Sequence, residues 1–244
     1  MPLHPGKDNY YCHGNTRKKY ELLAHKLSES PVSTRILQGG LYAITDSRLL
    51  RSIPMETAVE QAIRGGARVI QYREKHLTGA VMEETAGKLA VLCQRHNVPL
   101  IINDDVALAT RCGADGVHLG KADSPVRDAR RQLGAGAIIG VSCYNSLDRA
   151  LAAVAGGADY VAFGRFYPSH SKPDTVAAEA ALLTAARHAL DVPLVAIGGI
   201  TPDNGSQLLA AGADLLAAID GVFGQLDIEV AARRYAELFD VHAR

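Results

Sequence analysis

The six residues GGADYV (156–161) recur three more times with small changes: GGARVI at 65–70, CGADGV at 112–117 and AGADLL at 211–216. Each copy holds a glycine, an alanine and a charged residue, then runs into an apolar segment. Glycine stops a helix in the left-handed conformation without a Cβ penalty. Alanine allows close packing as the chain turns. The unit therefore reads as a helix-to-strand junction.

Working outward from these junctions, short apolar runs alternate with helix-period segments. The runs are LYAIT (41–45), VIQYR (69–73), LIIND (100–104), GVHLG (116–120), IIGVSC (138–143), YVAFG (160–164), LVAIGG (194–199) and LLAAID (215–220). Continuous apolar strands separated by helices read as a parallel sheet covered on its outside. The repeated junction precedes runs two, four, six and eight of this set. A motif returning at every second unit points to an α/β fold, a closed (β/α)8 TIM barrel built from pseudo-repeats. An open doubly wound sheet is the alternative. No G-x-G-x-x-G follows the first run, which weakens a dinucleotide-binding version. Pro54, Pro125 and Pro202 are expected at first helical positions, with Ser124 and Thr201 as caps.

The barrel is expected over residues 39–244 as a single domain, preceded by a short N-terminal extension, 1–38. The extension is polar, with Pro, Gly and Asn early. Tyr20, Leu23 and Leu27 offer one thin apolar stripe. A poorly ordered or loosely docked segment is the expectation. His4, Cys12 and His13 have the wrong spacing for a closed metal site.

Hydrophobic residues make up 48% of the 244 and charged residues 21%, enough for a sizeable core. Lys+Arg and Asp+Glu are both 26, which argues against a general nucleic-acid or membrane-surface binder. Any anion site must come from a few locally placed cations. Cys12, Cys93, Cys112 and Cys143 are scattered with no C-x-x-C spacing, as for free thiols in a reducing cytoplasm. No apolar run is long enough to span a membrane, and no secretion signal is visible.

In such a barrel the active site lies at the C-terminal strand ends. Strand two ends in Gln71-Tyr72-Arg73-Glu74-Lys75, and strand three in Asn103-Asp104-Asp105. Asp123 follows strand four, strand five carries Ser142, and strand six leads into GRFYPSHSKPD, which contains Lys172. Strand seven ends in Gly198-Gly199 and strand eight in Ile219-Asp220-Gly221. Arg73, Lys75 and Lys172 would place three cations on one rim, with Asn103 and Ser142 as neutral donors. Asp104 and Asp123 could hold Mg²⁺, which prefers one or two carboxylates plus phosphate oxygens and waters. This set suits a Mg²⁺–diphosphate. The Gly pair and the turn after strand eight match the usual barrel phosphate site. Two phosphate-bearing ligands are expected, one a diphosphate and one a monophosphate.

Each element has a plainer reading. Arg73-Glu74-Lys75 could be a solvated ion-pair cluster, Asn103-Asp104-Asp105 a helix cap, and the Gly pair a turn. Gln71, Tyr72 and His118 could be polar or aromatic barrel filling. Their convergence at successive strand ends favours a site.

LYAITD, QYREK, INDD, GVHLGKAD, GVSCYN, FGRFYPSHSKPD and IGGITPDN occur in that order between residue 41 and about 225. This stretch resembles the thiamine-phosphate synthase (thiamine-phosphate pyrophosphorylase) family. The resemblance implies a transferase of thiamine biosynthesis. Hydroxymethylpyrimidine diphosphate and a thiazole phosphate, or its carboxylated precursor, would give thiamine phosphate and diphosphate. The reaction would be dissociative and Mg²⁺-assisted: the C–O bond breaks first and the thiazole nitrogen captures the cation. By motif position, Gln71, Arg73, Lys75 and Asn103 would contact the pyrimidine diphosphate, and Asp104 and Asp123 the Mg²⁺. Ser142 and Lys172 would contact the diphosphate. With Arg73 and Lys75 they form the expected catalytic set. Ser169, His170 and Ser171 would line the thiazole side, and Gly199 with the Ile219-Asp220 backbone would hold its phosphate. The partners implied are small molecules, with no nucleic acid or membrane; a homo-oligomer stays open.

Three departures from the family pattern matter. Ser169-His170-Ser171 stands where threonines are common. Asp220 replaces a serine, so its side chain should turn away from a phosphate. Lys121-Ala122 replaces a Gln-Glu pair. Two other functions remain open: a thiazole tautomerase-like enzyme, with His118 or His170 as acid/base, and a non-catalytic regulatory barrel that binds thiamine precursors.

Overall fold

The structure, a computed structural model, describes residues 39–50, 52–120, 123–168 and 176–242. Residues 1–38 lie outside it, with the apolar stripe and the His4, Cys12 and His13 reading placed there.

Eight parallel strands close into a barrel in sequence order. They are β1 (Gly40–Ile44), β2 (Ala67–Tyr72), β3 (Leu100–Asn103), β4 (Gly116–Leu119), β5 (Ile138–Tyr144), β6 (Tyr160–Phe163), β7 (Leu194–Ile197) and β8 (Leu215–Ala218). β8 pairs back onto β1 through Tyr42 and Ala217. The helices are α1 (Met55–Arg64), α2 (Gly79–Arg95), α3 (Val106–Cys112), α4 (Val126–Leu133), α5 (Leu147–Ala155), α6 (Ala180–Ala189), α7 (Gly205–Ala210), the short α8 (Asp220–Phe223) and α9 (Ile228–His242). All eight apolar runs are strands, so the (β/α)8 expectation holds. Among the described residues no helix is long and apolar enough to cross a membrane.

Two layers of core follow from the period-two alternation of strand side chains. Tyr42, Val69, Ile101, Ile138, Tyr160, Val195 and Leu215 belong to one buried cluster, which fills the barrel. Leu41, Ile70, Leu100, Val161 and Leu216 belong to a second, which joins the sheet to the helices. Tyr72 is in this outer cluster, so it is not barrel filling. Inside, one position is decided by close approach: a Cβ on Gly140 would stand 1.9 Å from the Tyr160 ring. Glycine there makes room for a phenol at the centre of the barrel.

The repeated junction has a structural reason for each letter. Gly66, Gly113, Gly157 and Gly212 all have positive φ, between 69° and 111°. The aspartates then act as two-point clips. Asp115, Asp159 and Asp214 donate their backbone N–H to the carbonyls of Leu100, Ile139 and Leu194. Their carboxylates accept the backbone N–H of the same three residues, at 2.6 to 2.8 Å. Each clip ties β4, β6 or β8 to the strand before it. Arg130 and Arg187 pair with Asp159 and Asp214. In the first copy Arg68 stands at the aspartate position and lies against Gly40.

The proline expectation is off by one residue. The Pro54 and Pro125 carbonyls accept the first helical bonds, from Ala58 and Ala129, and both have ψ 143°. Proline fixes φ but leaves ψ extended, so each is the cap and the helix starts one residue later. Pro202 lies in a turn before α7. There Asn204 Oδ1 accepts the N–H of Thr201, so Asn204 supplies the side-chain bond and Thr201 receives it.

Candidate active site

The C-terminal strand ends open onto a cavity of about 350 Å³. Its walls include Ile44, Val195, Ile197 and Ala217, the upper apolar side chains of the barrel interior. Such a pocket, apolar with a few polar groups, is the usual form of a small-molecule site.

At the end of β2, Gln71 and Arg73 both face the cavity. Thr45 and Arg73 bond each other: the Arg73 N–H donates to Thr45 Oγ1 at 2.9 Å, and the Thr45 hydroxyl donates to the Arg73 carbonyl at 3.2 Å. Asp46 is buried beside them, 3.9 Å from the Arg73 guanidinium. The Arg48 guanidinium grips Asp46 through two bonds, of 2.9 and 2.6 Å, and holds its carboxyl below the usual range. Thr45 and Asp46 are site-supporting residues that strand-end reasoning missed. The signal was present, because Thr45 ends the first apolar run and Asp46 follows it. Glu74 does not pair with its cationic neighbours. Its Oε1 accepts the N–H groups of Lys75, His76 and Leu77 and the Ser47 hydroxyl. Burial would raise its pKa, but these donors together outweigh burial and lower it. The ion-pair-cluster reading therefore fails, and Glu74 organises the loop that carries Lys75.

Asn103 and Asp104 also line the cavity. Asp104 has φ +65°, a left-handed conformation that aspartate tolerates better than most residues. Its Oδ2 accepts from Asn103 Nδ2 at 2.6 Å and lies 3.2 Å from Lys75 Nζ. Asp123 Oδ2 accepts the Gly120 N–H at 2.5 Å. A Cβ on Gly120 would lie 2.8 Å from Asp123 Oδ2 and 3.9 Å from Asp104 Oδ1, so both carboxylates sit over this glycine. Burial, followed by the hydrogen bond and charge of Asp104, raises the Asp123 pKa against the pull of Gly120 and Lys75. A carboxylate held beside a second one in this way fits a divalent cation. Among the described residues no third acidic, His or Cys side chain completes a cage. That donor set leaves positions for water and phosphate oxygens, as Mg²⁺ prefers. Asp105 plays a different part. It is the cap of α3, its Oδ1 accepting the Leu108 N–H at 2.8 Å.

Ser142 on β5 and His118 on β4 meet at 2.9 Å, through Oγ and Nε2. His118 Nδ1 lies 2.9 Å from the Tyr160 hydroxyl, which is 2.7 Å from the Tyr42 hydroxyl. Gln71 Nε2 donates to Tyr42 at 2.9 Å. Gln71 and His118, read as filling, thus join Tyr42, Tyr160 and Ser142 in a continuous chain beneath the cavity.

Across the cavity on the same rim, Gly198 and Gly199 have φ +105° and +61°, and the β6 loop packs directly on them. The Tyr167 N–H donates to the Gly198 carbonyl at 2.9 Å. Gly199, Ile219 and Asp220 line the cavity. Asp220 starts α8, and its Oδ1 lies where a Cβ on Gly224 would be, 2.4 Å from it. The carboxylate thus lies along its own turn, against Gly224. Ser169, His170, Ser171 and Lys172, with Lys121 and Ala122, lie outside the described residues.

The family pattern for thiamine monophosphate synthase matches residues 41–222. The chain is similar to the thiamine-phosphate synthase of Thioalkalivibrio sulfidiphilus, with 50% identity over 83% of this chain and 96% of that protein. It is 51% identical to the thiamine-phosphate synthase of Nitrosococcus oceani, over 82% of this chain and 92% of the relative. Among solved structures, the thiamine phosphate pyrophosphorylase of Pyrococcus furiosus superposes with a TM-score of 0.77 at 33% identity, covering 84% of this chain and 98% of that one.

Proposed function

The chain belongs to the thiamine monophosphate synthase family, and we propose that its barrel-top site joins hydroxymethylpyrimidine diphosphate to thiazole phosphate with Mg²⁺ bound at Asp104 and Asp123. It is a transferase of thiamine biosynthesis. The observation that carries the site assignment is the placement of both carboxylates over Gly120, beside Lys75 and Asn103 and on the same rim as Arg73 and Ser142.

The chemistry follows from those positions. The bond between the pyrimidine methylene carbon and the diphosphate oxygen breaks, and its electron pair leaves with the diphosphate. Arg73, Lys75 and Ser142 face the oxygens that gain charge, so they stabilise the transition state more than the ground state. A bound Mg²⁺ would neutralise charge on the same oxygens. The apolar wall of Ile44, Val195, Ile197 and Ala217 keeps water from the carbocation. The thiazole nitrogen then donates its lone pair to the methylene carbon. Gly199 and the backbone of Ile219 and Asp220 hold the thiazole phosphate. Lys172 is assigned to the diphosphate, and Ser169, His170 and Ser171 to the thiazole side, on the family resemblance alone. For the tautomerase reading, both ring nitrogens of His118 are engaged by protein hydroxyls, and His170 lies outside the described residues. Cys93, Cys112 and Cys143 are buried free thiols, which fits a reducing cytoplasm.

The test is a two-substrate assay on the full chain. Diphosphate and thiamine phosphate are expected in equal amounts with Mg²⁺ and not after chelation. No product at saturating substrates would sink the reading.

A further inference from the structure

Five polar side chains cross the floor of the site as one chain: Gln71, Tyr42, Tyr160, His118 and Ser142, each 2.7 to 2.9 Å from the next. Tyr42 and Tyr160 are buried, and the His118 and Tyr160 rings stack at 5.6 Å. Neither end of the chain is explained by packing, because Gln71 and Ser142 both open onto the cavity.

A phenol or serine hydroxyl has one proton, and a neutral imidazole has one. Burial raises the pKa of both phenols, so each keeps its proton. The direction of one link therefore fixes all the others. With Gln71 Nε2 as the donor to Tyr42 and His118 neutral, the Tyr42 proton goes to Tyr160 and the Tyr160 proton to His118 Nδ1. His118 then carries its proton on Nε2 and gives it to Ser142 Oγ. The proton of Ser142 is left for the cavity. In the reverse direction Gln71 would present its NH₂ to the cavity. Ser142 would spend its proton on His118 and turn only lone pairs toward an anion.

We propose that this chain has a fixed direction, set by Gln71, and that His118 and Tyr160 are positioning residues which keep Ser142 a proton donor to the diphosphate. The proposal rests on the site reading above. It adds a coupling between the two ends of one substrate. Gln71 presents its Oε1 acceptor to the amino group of the substrate, 4-amino-2-methyl-5-hydroxymethylpyrimidine diphosphate, in the same hydrogen-bonding state in which Ser142 donates to the diphosphate. A ligand offering both groups stabilises the direction; one offering only one of them does so less.

The first test reads the unaltered chain and uses a variant only to assign one signal. The full chain is labelled with ¹⁵N-histidine, and His118 is assigned by the signal lost in His118→Gln. The expected spectrum shows a protonated Nε2 and an unprotonated Nδ1. A protonated Nδ1 with a bare Nε2 overturns the proposal. The second test is a double-mutant cycle, which isolates coupling from general damage. Tyr160→Phe is expected to lower kcat for diphosphate release about tenfold, the worth of a hydrogen bond to a charged group. In a Ser142→Ala background the same change should have an effect of less than about twofold. Equal losses in both backgrounds would mean a structural role only. If Tyr160→Phe does not fold, Tyr42→Phe closes the same cycle. An enzyme that releases no diphosphate refutes the site reading, and the histidine spectrum still decides the direction of the chain.

Discussion

Asn103, Asp104 and Asp105 are neighbours in sequence with three different tasks. The left-handed φ of Asp104 separates them, turning its carboxylate toward Asp123 while Asp105 stays behind to cap α3. Asp104→Ala is therefore expected to abolish Mg²⁺-dependent turnover. Asp105→Ala removes one cap, at a cost of about 1 kcal/mol in stability, and should keep most activity. Turnover against Mg²⁺ concentration and a urea melt of both variants measure this, and equal losses of activity would overturn the division. Gly120 belongs to the same argument. A methyl group in Gly120→Ala would press on the Asp123 carboxylate at 2.8 Å, so more Mg²⁺ should be needed for half-maximal rate. An unchanged Mg²⁺ requirement would count against Asp123 as a ligand.

Among the elements, the helix-to-strand junction is the unit that repeats, and its aspartate is what the repeat contributes. Three copies clip a strand to the one before it through a carboxylate and a backbone N–H at the same residue. These bonds close the barrel at the rim away from the cavity, so they bear on stability and leave the chemistry alone. Asp214→Ala removes the acceptor for Leu194 and the partner of Arg187, and is expected to cost about 1–3 kcal/mol, since the N–H at the head of a strand loses its bond. Asp214→Asn keeps an oxygen in place and should cost less. Urea unfolding midpoints decide, with KM for both substrates expected to stay unchanged; a shift in KM without a loss of stability would contradict the clip.

In the whole molecule, β1 starts at Gly40 and the family pattern at residue 41. We therefore propose that the barrel, 39–244, is the catalytic unit and that the preceding segment is dispensable. Deleting residues 1–36 should leave turnover and melting temperature unchanged, and a large drop in either would show that the segment belongs to the folded unit.

The sequence by itself determined the elements, their order and the closed fold, and it named the rim residues. Turns, caps and apolar runs are local, set by sterics within a few residues of chain. Strand-end position is likewise a local property, so Gln71, Arg73, Asn103, Asp104 and Ser142 could be picked out before any contact was known. What the tertiary structure alone decided is which side of each strand faces inward. A parallel strand in a barrel is buried on both faces, so its apolar run shows no alternation to separate the two. That is why Tyr72 could be mistaken for barrel filling while Tyr42 and Tyr160 went unnoticed, although they stand 118 residues apart and their hydroxyls touch at 2.7 Å. Closure of the sheet makes that contact. Pairing of β3 with β4 and of β4 with β5 sets Asp104 near Asp123 and His118 under Ser142.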